Sequence, residues 1–149
     1  MNWDAIFNAA NILAMVAWAA LILLPRWPAL LSAVLYLGIG LLCAAYAVLL
    51  GLVLSGAIGT GGAGGADFTT IEGVQAIFAS RGGAVIGWVH YLAFDLFVGL
   101  WIARDADAKG FSRLVQAPFL IATFLAGPLG LVVWLILREQ RARATGRFK

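Results

Sequence analysis

The sequence predicts an all-α membrane protein, a four-transmembrane-helix bundle with a short amphipathic interfacial helix between the second and third spans. Three observations lead there. Of the 149 residues 63% are hydrophobic and 11% charged, more apolar surface than a soluble core of this size can hide. Apolar runs at 5–24, 30–54, 84–103 and 117–137 each reach the roughly 20 residues that a helix needs to cross a hydrocarbon core about 30 Å thick. Between the second and third runs lie a glycine-rich linker, 56–66, and a segment, 68–80, with one apolar stripe at helical spacing. The chain reads as one integral membrane domain, 1–149, closed by a basic tail, 138–149.

The first run follows Asp4 rather than a basic residue, and Pro25-Arg26-Trp27-Pro28 offers no small-residue cleavage site, so it is expected to remain in the mature chain. Asn8 and Asn11, three apart, share a face and are expected to turn into the bundle, as interhelical hydrogen bonds or as substrate contacts. Pro25 and Pro28 end the helix, and Trp27 is placed as an interfacial anchor. The second run carries Tyr36 and Tyr46, read as packing residues, and Gly38, Gly40 and Gly51, where neighbouring backbones can approach. Cys43 is the one cysteine, which excludes an intrachain disulfide and a multi-cysteine metal site, and reads as a small buried apolar residue.

The linker matches G-x-G-x-x-G letter by letter, yet no strand precedes it, so it reads as flexible chain and not as a dinucleotide fingerprint. Beyond it, Asp67 with Thr69 or Thr70 can cap a short helix whose stripe is Ile71, Val74, Ile77 and Phe78. Such a helix lies on the membrane surface or folds over the bundle as a lid that brings Glu72 to a ligand.

The third run holds the one histidine, His90, and an aspartate, Asp95. An ionised carboxylate in hydrocarbon costs roughly 2.5–3.5 kcal/mol even on the cautious scale, so an ionisable group there is by default a functional site. At about 100° per residue Asp95 falls near Trp88 and Gly99, with Tyr91 one turn earlier, while His90 shares a face with Phe94, Phe97, Trp101 and Arg104. The two groups are about 140° apart and are expected to form two walls of one cavity. Tyr91 stands four residues before Asp95, a spacing at which the phenol can bond the carboxyl. Gly83 and Gly87 give a close-packing spot. Arg104 and Asp105 are expected to meet a polar end of a ligand, whereas Asp107 and Lys109 read as a solvated boundary with weak ion pairs.

In the fourth run Pro118 suits the first helical turn with Gln116 at or outside the cap, and Gly127-Pro128-Leu129-Gly130 is expected to kink the span. Four spans put Arg81, Arg138, Arg141, Arg143, Arg147 and Lys149 on one side and Arg26, Arg104, Lys109 and Arg113 on the other, which predicts both termini in the cytoplasm, in a bacterial inner membrane. Basic residues gathered at the membrane flank argue for lipid rather than nucleic acid as the partner.

Phe68, Glu72-Gly73-Val74, Phe78, Trp88-Val89-His90-Tyr91-Leu92, Phe94-Asp95-Leu96-Phe97, Trp101, Asp105, Pro118 and Gly127-Pro128-Leu129-Gly130 together resemble a known family: small membrane proteins related to plant neoxanthin synthase, of the abscisic-acid-deficient-four type. The resemblance implies a four-helix membrane protein and, in plants, the conversion of violaxanthin, a carotenoid epoxide, into allenic neoxanthin. That isomerisation places a proton on the opening epoxide oxygen and removes one from a neighbouring carbon. His90 is the expected base and Asp95 the expected acid, with Trp88, Tyr91 and Trp101 positioning the carotenoid or related isoprenoid ligand. No cofactor or metal is implied. A non-catalytic carotenoid- or lipid-binding or scaffolding protein is the alternative. Haem or quinone redox chemistry ranks lower, because one histidine cannot give bis-histidine ligation in a monomer. Homo-oligomerisation is left open.

Overall fold

Every regular element in the computed structural model, which describes residues 1–61 and 67–145, is helical. The order is α1 (Trp3–Leu23), α2 (Pro28–Ala33), a π-helical stretch (Val34–Gly40), α3 (Leu41–Leu54), α4 (Ile71–Ala79), α5 (Arg81–Ala108), α6 (Arg113–Leu125) and α7 (Gly127–Thr145). Three helices are long and apolar enough to cross a membrane: α1, the continuous rod Pro28–Leu54, and α5. α5 is the central one, with 44% of its most apolar stretch buried against 28% and 22% for the other two.

Small residues let the partners reach α5. A Cβ on Gly99 would fall 2.2 Å from the Trp18 ring, which α1's approach to α5 excludes, and one on Gly38 would sit tightly, 3.2 Å from Leu96, where the rod meets α5. α1 runs parallel to α5, with Trp3 against Gly82 at one end and Arg26 against Asp107 at the other. The rod runs antiparallel, pairing Gly38 with Leu96 and Tyr46 with His90. Gly51, also read as a packing glycine, has nothing within 4 Å, and Cys43 is exposed on the bundle surface rather than buried.

The expected fourth span, 117–137, is two helices. α6 stops at Leu125, Ala126 leaves the helical region at φ −155°, ψ 74°, and α7 begins at Gly127. Pro128 has no N–H to continue α6 but suits the first turn of a new helix. The chain then folds back: Gly130 packs on Thr123, Phe119 on Trp134 with ring centroids 5.6 Å apart, and Arg141 Nη1 donates to the Gly110 carbonyl at 3.0 Å. The anticipated kink is therefore a helical hairpin whose tip stops halfway along α5, where a Cβ on Gly127 would lie 2.0 Å from Asp95 Oδ1. α6 also starts earlier than expected, so Pro118 lies inside it and Gln116 is fully buried rather than capping. Arg113 and Gln116 belong to the helix because α1's end receives them: Arg113 Nη2 donates to the Ile22 carbonyl at 3.1 Å, and Gln116 Oε1 accepts from Arg26.

The hairpin overturns the two-sided charge bookkeeping. The chain's start lies beside the start of α5, through Asp4 and Arg81, whereas α7 ends beside the end of α5, through Arg138 and Asp105. The two ends of the described chain therefore sit at opposite ends of the bundle. Arg147 and Lys149 of the basic tail, and 62–66 of the linker, lie outside the described residues.

Candidate functional site

α5 presents one group to each of two cavities. On one flank His90 meets α3 and α4, around a cavity of about 430 Å³. Tyr46, Leu50 and Val53 form its α3 wall, Phe68, Ala76, Ile77 and Phe78 its roof, and Gly83, Gly87, His90 and Tyr91 its floor. The His90 ring stacks on Phe94 at 4.6 Å and lies 5.4 Å from the Tyr46 ring and 6.2 Å from the Tyr91 ring. Among the described residues none hydrogen-bonds its nitrogens. An imidazole held by aromatic faces with both nitrogens open, in an apolar cavity of ligand size, is equipped to accept a proton from something bound there.

The roof is built locally. Asp67 accepts from the Thr69 N–H at 2.8 Å and from the Thr69 hydroxyl at 2.7 Å, and these donors hold its carboxyl below the usual range. Thr70 caps α4 by accepting from the Gly73 N–H at 3.1 Å. Ser80 caps α5 at the Gly83 N–H, 3.0 Å, so α4 turns straight into the long helix. A Cβ on Gly83 would sit 2.0 Å from the Ile77 carbonyl, and one on Gly87 2.5 Å from the Phe78 ring. The close-packing spot thus receives α4 rather than a transmembrane neighbour. Within the apolar stripe Ile77 and Phe78 face the cavity, while Ile71 is 73% exposed. Glu72 is exposed and lines neither cavity.

On the opposite flank Asp95 faces a cavity of about 500 Å³ between α1 and the hairpin tip, lined by Asn11, Met15, Trp88, Tyr91, Phe124 and Gly127 among others. Trp88 Nε1 donates to Asn11 Oδ1 at 3.0 Å, and Asn11 Nδ2 donates to the Phe7 carbonyl at 2.8 Å. No described residue donates to the Asp95 carboxyl, so the expected Tyr91–Asp95 bond is not formed. Tyr91 instead lines both cavities and separates them. His90 and Asp95 are consequently not two walls of one cavity. Five residues turn the helix about 140°, and that angle carries the two groups to flanks closed by different helices.

The remaining sequence-level candidates lie elsewhere. Asn8 is exposed on α1 and lines neither cavity. Trp101 sits under the Arg138 guanidinium, 5.4 Å from its centroid, and Arg104 is exposed near the end of α5. Asp105 is not open to a ligand: Lys109 Nζ at 2.8 Å, Arg138 Nε at 2.6 Å and Nη2 at 2.7 Å, and Trp134 Nε1 at 3.0 Å all donate to it. Lys109, read as a solvated residue, is 5% exposed, and Asp107 accepts from Arg26 at 3.0 Å and from Gln116 Nε2 at 2.8 Å. This end of the bundle is a fastening that ties the hairpin and α1 to α5. Sequence reasoning treated Tyr46 as packing and did not single out Phe68 as a wall residue; the signal available was an intramembrane phenol and an aromatic flanking the amphipathic helix.

A family model described as ABA4-like, ABA DEFICIENT 4-like, matches residues 5–134, most of the chain and both cavities. Neither the curated proteins nor the solved structures give a match.

Proposed function

The chain belongs to the ABA4-like family, and from that premise we propose that it is a membrane-embedded protein that takes a carotenoid or related isoprenoid lipid into the His90 cavity. The observation that carries the reading is the cavity itself: about 430 Å³, walled mostly by aliphatic and aromatic side chains, with the His90 imidazole, the Tyr46 and Tyr91 phenols and the Thr60 and Ser80 hydroxyls as its polar groups. Apolar walls with a few placed polar groups suit a polyene or its ring end better than a polar metabolite. The reaction we propose is epoxide-opening isomerisation of neoxanthin-synthase type. His90 accepts the proton lost from carbon, and a phenol of Tyr46 or Tyr91 supplies one to the oxygen as the C–O bond breaks, so atoms balance without a redox partner. Asp95, expected from the sequence as the acid, faces the neighbouring cavity and has another role in this account.

The test is expression in a host that accumulates epoxy-carotenoids, followed by chromatography and mass spectrometry of extracted pigment. The account predicts a product of unchanged mass, absent from the empty-vector control. Pigment that co-purifies with the protein without conversion would instead favour the non-catalytic binding reading.

For orientation, we propose that the end holding Arg26, Arg104, Lys109, Arg113, Arg138, Arg141 and Arg143 faces the cytoplasm, since among the described residues Arg81 is the one basic side chain at the other end. The N-terminus then faces away from the cytoplasm and only the C-terminus faces it. A C-terminal alkaline phosphatase fusion should be inactive and an N-terminal one, behind an export signal, active; the reverse pattern refutes this orientation.

A further inference from the structure

We propose that the cavity at the hairpin tip is a second ligand site, separate from the His90 cavity, and that it takes an apolar molecule bearing an aliphatic hydroxyl, held by the Asp95 carboxyl. The inference goes beyond the proposed function and stands without it. Its volume of about 500 Å³ is that of a small-molecule site. Met15, Phe124 and Leu125, all on its wall, are 52%, 39% and 75% exposed, so the cavity opens sideways toward lipid rather than toward either bundle end. A ligand therefore arrives from the hydrocarbon.

The polar groups narrow its chemistry. Asn11 and Trp88 satisfy each other, which leaves the Asp95 carboxyl and the Tyr91 phenol as the open ones. No lysine or arginine lines the cavity, so an anionic head group would meet a carboxyl with no counter-charge. Among the described residues no further carboxylate, histidine or cysteine gathers there to complete a metal-ligand set. A fixed cation would carry its own desolvation cost into hydrocarbon. A hydroxyl is neutral, both donates and accepts, and matches a carboxyl that has no hydrogen-bond partner among the described residues. The tip also fixes the carboxyl in place: Gly127 packs its backbone against Asp95, where any Cβ would collide with Oδ1.

The test is photo-labelling of the full chain in nanodiscs with two diazirine probes of equal length, a long-chain primary alcohol and the corresponding alkane. Labelled peptides are then mapped by mass spectrometry. We expect the alcohol to label the α1 peptide containing Met15 and the α6 peptide containing Leu125 about tenfold more than the alkane, one hydrogen bond's worth of preference. Asp95→Leu should remove that preference, whereas Asp95→Asn, which has the same shape and keeps a hydrogen-bonding carbonyl, should retain most of it. His90→Ala should leave it unchanged. Equal labelling by both probes in the wild type overturns the proposal whether or not the leucine variant folds. Loss of alcohol labelling in His90→Ala also overturns it, by showing one continuous site.

Discussion

His90→Ala is expected to abolish conversion of an epoxy-carotenoid while the protein accumulates to wild-type levels. Removing a positioned general base lowers rate by about 10²- to 10⁴-fold, enough to take the proposed conversion below detection. Accumulation should be spared because His90 is exposed on α5, stacked on Phe94 and tilted against Tyr46, and takes no part in the buried core of Trp18, Leu21, Val89 and Leu96. Tyr46→Phe separates the roles within the cavity, since it keeps the ring beside His90 and deletes only the phenol. The assay is the ratio of product to substrate in extracted pigment, normalised to protein. Full conversion by His90→Ala would remove the imidazole from the mechanism.

The second large effect is structural. Asp105→Ala is expected to destabilise the protein by about 3–5 kcal/mol, the usual cost of deleting one partner of a buried ion-pair network. The Asp105 side chain is 8% exposed, those of Lys109 and Arg138 0% and 7%, and the Trp134 indole shares the same carboxylate. Deleting the carboxylate takes that partner from two buried cations and an indole at once, at the point where α7 is fastened to α5. Thermal unfolding in detergent should show the loss, and the end of α7 should become accessible to protease before the rest of the bundle. By contrast Arg143→Ala, whose pair with Glu139 is exposed, should change stability by less than about 1 kcal/mol. Equal melting of Asp105→Ala and wild type would show that this ion-pair network does not hold the hairpin.

Composition and run length were enough to locate the three helices that are long and apolar enough to cross a membrane, and helical phase was enough to read which residues share a face of α5. Thr70 as a cap and Gly83 with Gly87 as a close-packing pair were also legible, because capping and steric room are local properties. The hairpin was not. An apolar run of about 20 residues looks the same whether it crosses once or folds back on itself, and only the packing of Gly130 on Thr123 and of Phe119 on Trp134 separates the two. The expectation that both ends of the chain share one end of the bundle was lost with it, as the described ends lie at opposite ends. The site was half legible for a related reason. Periodicity gave the angle between His90 and Asp95, but which helices fill that angle is a tertiary fact, and Tyr91 standing between two cavities is its outcome. Asp105 was misread as a ligand contact because its partners are 29 and 33 residues away in α7.

The most direct test of the central claim is to purify the protein from membranes that contain carotenoid and record the visible absorption of bound pigment for the wild type, Leu50→Trp and Asp95→Leu. Leu50 lines only the His90 cavity, and an indole there takes up much of its volume. The account predicts pigment with the wild type and Asp95→Leu, and its loss from Leu50→Trp at equal protein recovery. Pigment retained by Leu50→Trp but lost from Asp95→Leu would place the carotenoid at the hairpin tip and contradict the assignment of the His90 cavity.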